Sequence, residues 1–414
     1  MKLSIVVIGD ELLIGQVTDT NSGEIARTLG PLGWELAETY VIGDDGETIR
    51  RTVGQAMEQS DLVITTGGLG PTKDDITKHV LLSIFGGEMR EDPAVRENVE
   101  RIFAKRHLQL NQLTLGQAMV PTSCRVIQNE FGTAPIMWFE RDGKVLISMP
   151  GVPFETRGMI RGAVKDEIKR HFTPHETQLH HTLMATGITE SALAERLDAY
   201  EQALPTGMHL AFLPQPGYIR LRLDATADTD DAAKLELKFA TQVDRLKQAV
   251  GPHLLYDGDA SPAQILLERL KERGFTLATA ESCTGGNIAH HITSIPGSSE
   301  SYLGGVVSYS NDVKHRLLGV SQADLDAYGA VSQPVALQMA AGAARAINAD
   351  CAMATTGIAG PGGGTPDKPV GTVWIAAHTP AGTEAKLLRL PGDRSRVIDR
   401  ATTEAILFLL AKMG

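Results

Sequence analysis

The stretch AESCTGG, residues 280–286, places two nucleophilic side chains next to each other, Ser282 and Cys283. An apolar run, FTLAT, leads into it, and a helical pattern, NIAHHI, leads out of it. We therefore predict a turn between the carboxyl end of a strand and the amino end of a helix. Backbone N–H groups in such a turn, from Cys283 through Thr284 and Gly285 to Gly286, can hold a developing oxyanion or a phosphate. Ser282 is either a nucleophile or only a helix cap, and a nucleophilic serine needs a base to remove its proton.

Lys314 is the candidate base. It follows Ser282 by thirty-two residues in GGVVSYSNDVKHRLLG, where we predict a strand ending at Tyr309 and a helix capped by Ser310 or Asn311. That position lies in the first helical turn, where the helix dipole disfavours an ammonium and burial lowers the pKa further. A lysine that loses its proton near neutral pH can act as the general base for a serine. The alternative from sequence alone is a solvated surface lysine.

Cys283 is the rival nucleophile, because a thiolate needs less activation than a hydroxyl. His290 and His291 are close in sequence, but we expect them about two turns into the helix and facing away from its amino end. We therefore favour Ser282, with a thiol enzyme as the alternative.

Two further loops in this region suit a nucleotide substrate. CAMATTGIAGPGGG is an apolar strand that runs into a glycine-rich loop, where Gly357 and Gly360 allow the backbone to approach a phosphate or a ring. Thr356 supplies a hydroxyl at the end of the strand. Arg394, in RLPGDRSRVIDR, starts a helix from which its guanidinium can bind a phosphate with two hydrogen bonds. Either loop alone also fits a plain turn.

A second possible site lies near the start of the chain. TTGGLGPTKDDIT, residues 65–77, follows a buried strand, and its glycines form an anion-binding turn; they are Gly67, Gly68 and Gly70. Asp74 and Asp75 follow this turn, and Asp10 and Asp19 lie on other predicted loops. Carboxylates beside an anion site predict a divalent metal, with Asp10 and Asp75 as its ligands. The alternative is that these aspartates are solvated or cap helices.

Composition excludes some functional classes. The 414 residues include 39 basic and 50 acidic side chains, a net charge of −11, which disfavours nucleic acid and anionic membranes as partners. The three cysteines are far apart and form no metal-binding pair, so we expect reduced thiols and a cytoplasmic location. No apolar run approaches the ~20 residues of a membrane span. The opening MKLSIVVIGDELLIG predicts a first strand and not a signal peptide.

The pattern of elements predicts an α/β protein of three domains. Strand and helix signals alternate in a βαβαβ order over the first domain, residues 1–170, which indicates a parallel sheet. Residues 171–254 form a small α+β domain with a hairpin around PQPG, and residues 258–414 form another α/β domain. GPHLLYDGDASP, which begins at residue 251, predicts a linker because Gly, Pro and Asp are close together.

The third domain resembles the CinA C-terminal domain through TAESCTGG, GGVVSYSNDVK, YGAVSQPVA, TTGIAGPGGG, KPVGTVW and LPGDR. That family includes the bacterial nicotinamide mononucleotide amidohydrolases. The resemblance implies hydrolysis of the carboxamide of nicotinamide mononucleotide to nicotinate mononucleotide and ammonia, without a cofactor. It also implies the roles of five residues, namely the nucleophile Ser282, the base Lys314, a supporting tyrosine at Tyr309, a hydroxyl at Thr356 and a phosphate-side arginine at Arg394.

The first domain resembles the molybdopterin-binding (MoaB/MogA-like) fold through GGLGPTKDDIT and through MPGVPFE at 149–155. Its opening, GDELLIGQVTDTNS, is similar to the CinA version of that fold, and Leu69 replaces a threonine that is common in molybdopterin enzymes. The resemblance implies hydrolysis of ADP-ribose to AMP and ribose 5-phosphate with a divalent metal such as Mg, Mn or Co. The implied site residues are Asp10, Asn21, Asp75 and Glu155.

The middle domain resembles the KH-like domain of CinA proteins. A KH domain that binds nucleic acid needs a GxxG loop, and residues 173–253 contain none, so we expect a spacer. The leading hypothesis is a bifunctional pyridine-nucleotide enzyme, and the family implies a homodimer. The alternative is a sensor or adaptor whose first domain only binds a nucleotide or a pterin.

Overall fold

The computed structural model describes residues 1–72, 75–172, 176–228 and 232–413. The chain forms two compact units, one of residues 1–180 and 225–240, the other of residues 181–224 and 241–414. Among the described residues, no helix combines the length and apolar content that crossing a membrane requires.

The strands and helices between residues 1 and 171 belong to the first unit. The strands are β1 (Lys2–Ile8), β2 (Glu35–Ile42), β3 (Leu62–Thr66), β4 (Met89–Glu91), β5 (Met119–Pro121), β6 (Arg125–Ile127), β7 (Ile136–Arg141) and β8 (Lys144–Met149). The helices are α1 (Asp10–Leu13), α2 (Asn21–Leu29), α3 (Gly46–Gln59), α4 (Thr77–Phe85), α5 (Pro93–Lys105), α6 (Gln112–Leu115), α7 (Pro153–Arg161) and α8 (Ala163–His171).

Within these described elements, the main sheet has the strand order β2-β1-β3-β8-β7-β6. Strands β2, β1, β3 and β8 are parallel, as the βαβαβ pattern predicts. β1 is buried on both faces: Leu3, Ile5 and Val7 pack on one side, while Val6 and Ile8 pack on the other. Because parallel strands end at the same edge, the loops after β1, β3 and β8 come together there.

The middle of the chain contains a smaller sheet and two helices. The elements are β9 (Glu176–Thr186), α9 (Glu190–Gln202), β10 (Met208–Gln215), β11 (Tyr218–Asp228), α10 (Ala232–Val250) and β12 (Leu254–Asp257). The sheet order is β10-β11-β9-β12, and β10 and β11 are neighbours joined at Pro216 and Gly217, as the PQPG signal predicts.

The linker prediction for GPHLLYDGDASP is wrong in part, because Leu254–Asp257 is a strand that pairs antiparallel with β9. Leu255 and Tyr256 pack against the core of the second unit, so these apolar side chains hold the segment in place despite the flanking Gly, Pro and Asp.

The rest of the second unit carries a mixed sheet. Its elements are α11 (Pro262–Arg273), β13 (Leu277–Glu281), α12 (Asn287–Thr293), β14 (Tyr302–Val307), α13 (Asn311–Leu318), α14 (Gln322–Tyr328), α15 (Gln333–Ile347), β15 (Cys351–Gly357), β16 (Thr372–Thr379), β17 (Gly382–Arg389) and α16 (Arg394–Met413).

In this sheet the order is β14-β13-β15-β16-β17 among the described strands. β13 is central and runs parallel to both β14 and β15, so all three end at one edge. Ala278 and Ala280 on β13 face α15, which presents Ala336, Ala340 and Ala343 to them, and these small side chains allow close packing of helix on sheet. β14 ends at Val307, two residues before the predicted end at Tyr309, because the chain turns at Ser308 toward the cap of α13 at Ser310.

Candidate active site

Ser282 lies directly after the central strand β13, on the turn that leads into α12. Its N–H donates to the carbonyl of Thr355 on β15 over 3.0 Å, which extends the strand pairing by one residue. The Ser282 side chain is nearly buried, with the residue 8% exposed. The strand therefore holds the hydroxyl at the floor of a recess and not on an open surface.

Lys314 lies in the first part of α13 and is 1% exposed. Its Nζ is 3.0 Å from Ser282 Oγ, 2.7 Å from the carbonyl of Ser308 and 3.5 Å from the carbonyl of Tyr309. Burial lowers the pKa of Lys314, because the protein interior disfavours the charged ammonium. The alternative of a solvated surface lysine is therefore excluded.

These three oxygens can satisfy either an ammonium, which would donate to all three, or an uncharged amine. A neutral lysine has two N–H donors and one lone pair, whereas an ammonium has three donors and no acceptor. The two carbonyls can accept both N–H groups, which leaves the lone pair for the proton of Ser282 Oγ. This is the arrangement that a serine nucleophile with a lysine base requires.

Cys283 is nearly buried, and burial disfavours the thiolate that a cysteine nucleophile needs. Burial raises the pKa of the Cys283 thiol to about 12, so almost no thiolate is present at neutral pH. The structure therefore favours the hydroxyl of Ser282 over the thiol.

Glu281 is a residue that sequence reasoning missed. Its carboxylate is 1% exposed and accepts hydrogen bonds from the backbone N–H groups of Gly286, Ile288 and Ala289, and from the hydroxyl of Thr284. The amino end of α12 is thus already occupied by a side chain of the protein. The only sequence signal was an acidic residue at the end of a strand before a helix, where an anion is favoured.

The turn therefore has fewer free N–H groups for an anion than the sequence predicts. Gly286 N–H donates to Glu281, and Gly285 N–H donates to the carbonyl of Ser282 over 3.2 Å. The N–H groups of Cys283 and Thr284 have no acceptor within the described part of the chain. Of these two residues, Cys283 lines the cavity above Ser282, so its N–H group is the donor that remains for an oxyanion.

A cavity of about 240 Å³ opens above Ser282 and Lys314. Its lining brings together most of the predicted residues and adds several from neighbouring loops: Ser282, Cys283, Tyr309, Asn311, Lys314, Ala330, Val331, Thr356, Gly357, Ala359 and Arg394. Thr356 donates its hydroxyl proton to the carbonyl of Ala330 over 2.8 Å, which ties the end of β15 to the loop before α15. Thr284, Gly285, Gly286 and Gly360 do not line the cavity.

Arg394 and Tyr309 form a pair beside this cavity. Arg394 Nη2 donates to the Tyr309 hydroxyl over 3.1 Å, and Arg394 Nη1 donates to the carbonyl of Gly360 over 2.9 Å. Tyr309 is 63% exposed. Its hydroxyl contacts the guanidinium, while Lys314 is approached only by the backbone carbonyl of Tyr309. Gly360 contributes by holding the arginine and not by touching the cavity.

The first unit contains a separate cavity of about 430 Å³ at the carboxyl edge of its parallel strands. Gly67, Gly68 and Gly70 line it, together with Asn21 and Asp75. Gly67 has a φ of 113°, and a Cβ there would lie 2.0 Å from the carbonyl oxygen of Ile8, so only glycine fits. Within the described residues, the N–H groups of Gly68 and Leu69 have no acceptor, so this loop can bind an anion.

Asn21 and Asp75 shape this cavity through hydrogen bonds. Asn21 Nδ2 donates to Thr66 Oγ1 over 2.9 Å and to the carbonyl of Gly151 over 2.8 Å, so it links two strand ends. The Asp75 carboxylate accepts from the N–H of Gly70 over 2.6 Å and from the N–H of Thr72 over 3.0 Å. These two hydrogen bonds let Asp75 hold the end of the glycine loop, residues 67–70, in place.

The predicted metal ligands, Asp10 and Asp75, do not both line the cavity. Asp10 lies outside the cavity lining, and its carboxylate accepts from the N–H of Asp44 over 3.2 Å. Asp44 lines the cavity in its place; burial raises its pKa, and the nearby carboxylates of Asp10 and Glu11 act in the same direction. Among the described residues, no three His, Cys, Asp or Glu side chains converge as a metal site. Asp44 follows β2, so the rule that sites lie at strand ends could have found it.

Two other predicted residues remain, Glu155 and Asp74. Glu155 on α7 does not line the cavity; its Oε2 accepts from Asn129 Nδ2 over 2.8 Å, and burial raises its pKa. Glu155 is packed against the loop at Gly132, where a Cβ would lie 2.0 Å from its carboxyl group. Asp74 lies outside the described residues.

Three family models match the chain in order. Residues 4–170 match the probable molybdopterin binding domain, residues 180–254 match the damage-inducible protein CinA KH domain, and residues 259–413 match the CinA C-terminal domain. The predicted fold class and resemblance are confirmed by these matches.

Relatives of the same length support the assignment. A CinA-like protein from Cytophaga hutchinsonii is 40% identical over 99% of this chain and 97% of its own length, and one from Gemmatimonas aurantiaca is 41% identical over 98% and 95%. The crystal structure of the competence/damage inducible protein CihA from Agrobacterium tumefaciens is 41% identical and covers 36% of this chain and 92% of its own, with a TM-score of 0.36. With its three domains matched and its relatives aligned from end to end, the chain belongs to the CinA family.

Proposed function

We propose that the second unit hydrolyses the carboxamide of nicotinamide mononucleotide, giving nicotinate mononucleotide and ammonia. The observation that carries the proposal is the distance of 3.0 Å between Lys314 Nζ and Ser282 Oγ inside a cavity with an arginine beside it. The choice of this amide follows the CinA resemblance, and the arginine suits the phosphate of a nucleotide.

Acylation begins when Ser282 Oγ attacks the amide carbon and Lys314 Nζ takes the hydroxyl proton. Negative charge then develops on the former carbonyl oxygen, for which the N–H group of Cys283 is the donor, because it has no acceptor among the described residues and Cys283 lines the cavity. Lys314 next returns a proton to the departing nitrogen, and the C–N bond breaks to release ammonia. The product of this half-reaction is an ester between Ser282 and the nicotinoyl group.

Deacylation repeats the sequence with water. Lys314 removes one proton from a water molecule that attacks the ester, and the tetrahedral intermediate collapses to the carboxylic acid, which releases its own proton to solvent. The proton on Lys314 passes to Ser282 Oγ, which restores the starting state. Every proton transfer uses the same buried amine, so its lowered pKa is the property on which the cycle depends.

The direct test is product analysis by mass spectrometry. The protein is incubated with nicotinamide mononucleotide, and we expect a gain of 1 Da when the amide becomes an acid, with one ammonia per turnover measured by a coupled assay. Addition of a chelator is expected to leave the rate unchanged. Absence of ammonia from the wild-type protein would refute the proposed amidase.

We also propose that the first unit hydrolyses the pyrophosphate of ADP-ribose to AMP and ribose 5-phosphate. A cavity of about 430 Å³ supports an anion of this kind, because Gly68 and Leu69 line it and their N–H groups have no acceptor among the described residues. Among the described residues, four carboxylates line it, those of Glu11, Asp19, Asp44 and Asp75, and we propose Asp44 and Asp75 as the metal ligands. They fit a divalent ion, Mg, Mn or Co, that is bound jointly with the pyrophosphate oxygens, because such ions commonly use one or two carboxylates plus substrate phosphates.

When bound, the metal would neutralise charge on the pyrophosphate and activate water. The chain's own contribution is to bind and orient the substrate, with the glycine loop holding phosphate oxygens. Calorimetry and product analysis with ADP-ribose, with and without each metal, separate the alternatives. Turnover that a chelator abolishes supports the enzyme, whereas binding without turnover supports the sensor or adaptor hypothesis.

A further inference from the structure

Glu281 precedes the nucleophile, and its carboxylate joins three parts of the site. Oε2 accepts from Thr284 Oγ1 over 2.7 Å and from the N–H groups of Gly286 and Ile288 over 3.0 Å each, while Oε1 accepts from Ala289 N–H over 2.9 Å. A carboxylate that is 1% exposed and accepts four hydrogen bonds is held in one position.

The network extends from the turn into the sheet. Thr284 Oγ1 donates to Glu281, so it accepts the hydroxyl proton of Thr355 over 2.7 Å. Thr355 is the β15 residue that pairs with Glu281, and its carbonyl accepts the N–H of Ser282. Hydrogen bonds to Thr355 therefore hold both the backbone of Ser282 and the side chain of Thr284 against β15.

This arrangement also determines which backbone donors remain. Three N–H groups at the start of α12 are taken by Glu281, and Gly285 N–H is taken by the carbonyl of Ser282. Cys283 and Thr284 alone keep uncommitted N–H groups between Ser282 and Asn287, all of which are described residues. The negative carboxylate would also repel a second anion at the amino end of α12, so an oxyanion there is disfavoured.

We propose that Glu281 is a positioning residue for the amidase: its carboxylate fixes the turn 282–289 and directs the developing oxyanion to the N–H group of Cys283, which lines the cavity. This inference rests on the proposed function of the same site. Glu281 does not line the cavity, so we expect its contribution in the transition state and not in substrate binding.

The test is Glu281→Gln, which keeps the size of the side chain but places an NH2 group where N–H donors point. We expect kcat to fall about 100-fold while KM changes by less than about threefold, which is the pattern for an interaction made only in the transition state. Affinity for a tetrahedral phosphonate analogue of the substrate is expected to fall about as much as kcat. Affinity for the substrate itself, measured in a Ser282→Ala background, is expected to stay constant.

Two further variants keep the result interpretable. Thr284→Val removes one of the four hydrogen bonds and is expected to reduce kcat by a smaller factor, with the double variant less than multiplicative because both changes break one network. Glu300→Gln is the matched control, since Glu300 is an exposed partner of Lys271 far from the turn in sequence, and wild-type kcat is expected.

Failure of the inference is distinct from failure of the proposed function. If wild type releases ammonia and folded Glu281→Gln retains wild-type kcat, or loses only KM, the positioning role is overturned. If Glu281→Gln does not fold, wild-type kcat in Thr284→Val overturns it instead. If wild type releases no ammonia, the rate of Ser282 labelling by a fluorophosphonate still decides, because equal labelling of wild type and Glu281→Gln overturns the role and slower labelling supports it.

Discussion

Lys314 Nζ lies 3.0 Å from Ser282 Oγ, although the two residues are on different secondary-structure elements and thirty-two positions apart. The contact exists because β13 and β14 are parallel neighbours, so the segments that follow them emerge at the same edge of the sheet. No acidic side chain forms a salt bridge with Lys314 among the described residues. Burial without a counter-charge disfavours the ammonium, so the amine can lose its proton and accept the proton of Ser282.

Ser282→Ala is expected to abolish ammonia release from nicotinamide mononucleotide, with a loss of about 10³-fold or more in kcat, because the attacking oxygen is absent. The measurement is ammonia release over a range of substrate concentrations. The fold is expected to remain, since the Ser282 backbone N–H still donates to Thr355.

Cys283→Ala is the matched comparison, because it changes the adjacent side chain and not the hydroxyl. Its thiol has a pKa of about 12, so we expect kcat to stay within about threefold of wild type and iodoacetamide at pH 8 to leave activity intact. A dead Cys283→Ala protein beside an active Ser282→Ala protein would assign the reaction to the thiol.

The protonation state of Lys314 is expected to determine how kcat/KM depends on pH. Its pKa is lowered from 10.5 by burial, so kcat/KM is expected to rise with pH as the ammonium loses its proton and to level off below pH 10.5. Lys314→Met is expected to lose about 10³-fold in kcat at every pH. Lys314→Arg keeps a cation that cannot lose its proton, and it is expected to be equally inactive.

The same residue affects stability in a direction that can be checked. Between the lowered pKa of folded Lys314 and 10.5, the unfolded chain binds more protons than the folded chain, so the free energy of unfolding rises with pH. Relative to Lys314→Met, the wild-type protein is therefore expected to gain stability as the pH is raised toward 10.5. Denaturant unfolding at several pH values measures this difference, and a constant difference would contradict the shifted pKa.

The pairing of Ser282 with Lys314 could be predicted because strand patterns place both at one sheet edge. Glu281 could not, because its residue type does not reveal whether a carboxylate at a strand end is solvated or buried under a turn. Glu155 is the opposite case. The motif MPGVPFE predicts it near the glycine loop, but on α7 its side chain contacts Asn129 and does not line the cavity. Asp10 and Asp44 exchange hydrogen bonds across two loops, and sequence alone does not tell which carboxylate faces the cavity.

Arg394 and Tyr309 are expected to act in substrate binding. Arg394→Met removes the guanidinium that lies beside the cavity and is expected to raise KM for nicotinamide mononucleotide about 10- to 100-fold, with kcat changed less. Tyr309→Phe removes the hydroxyl that holds Arg394 Nη2 and is expected to raise KM by a smaller factor. Steady-state kinetics separates the two parameters.

The matched control is Arg396→Met, a neighbouring arginine that does not line the cavity, for which wild-type KM is expected. If Tyr309→Phe lowers kcat at constant KM, the tyrosine acts on the reacting atoms and not through Arg394.

Asp75 tests the first unit independently of the amidase. Asp75→Asn replaces one acceptor oxygen with an NH2 group that faces the N–H groups of Gly70 and Thr72, so the glycine loop loses the bonds that close it. We expect ADP-ribose turnover to fall at least about 100-fold, while ammonia release from nicotinamide mononucleotide is unchanged. Asp45→Asn is the control, because Asp45 caps α3 through Thr48 and does not line the cavity. That variant keeps a side-chain oxygen that can cap α3, so it is expected to retain wild-type turnover. Equal turnover in Asp75→Asn and Asp45→Asn would show that the glycine loop does not bind the pyrophosphate.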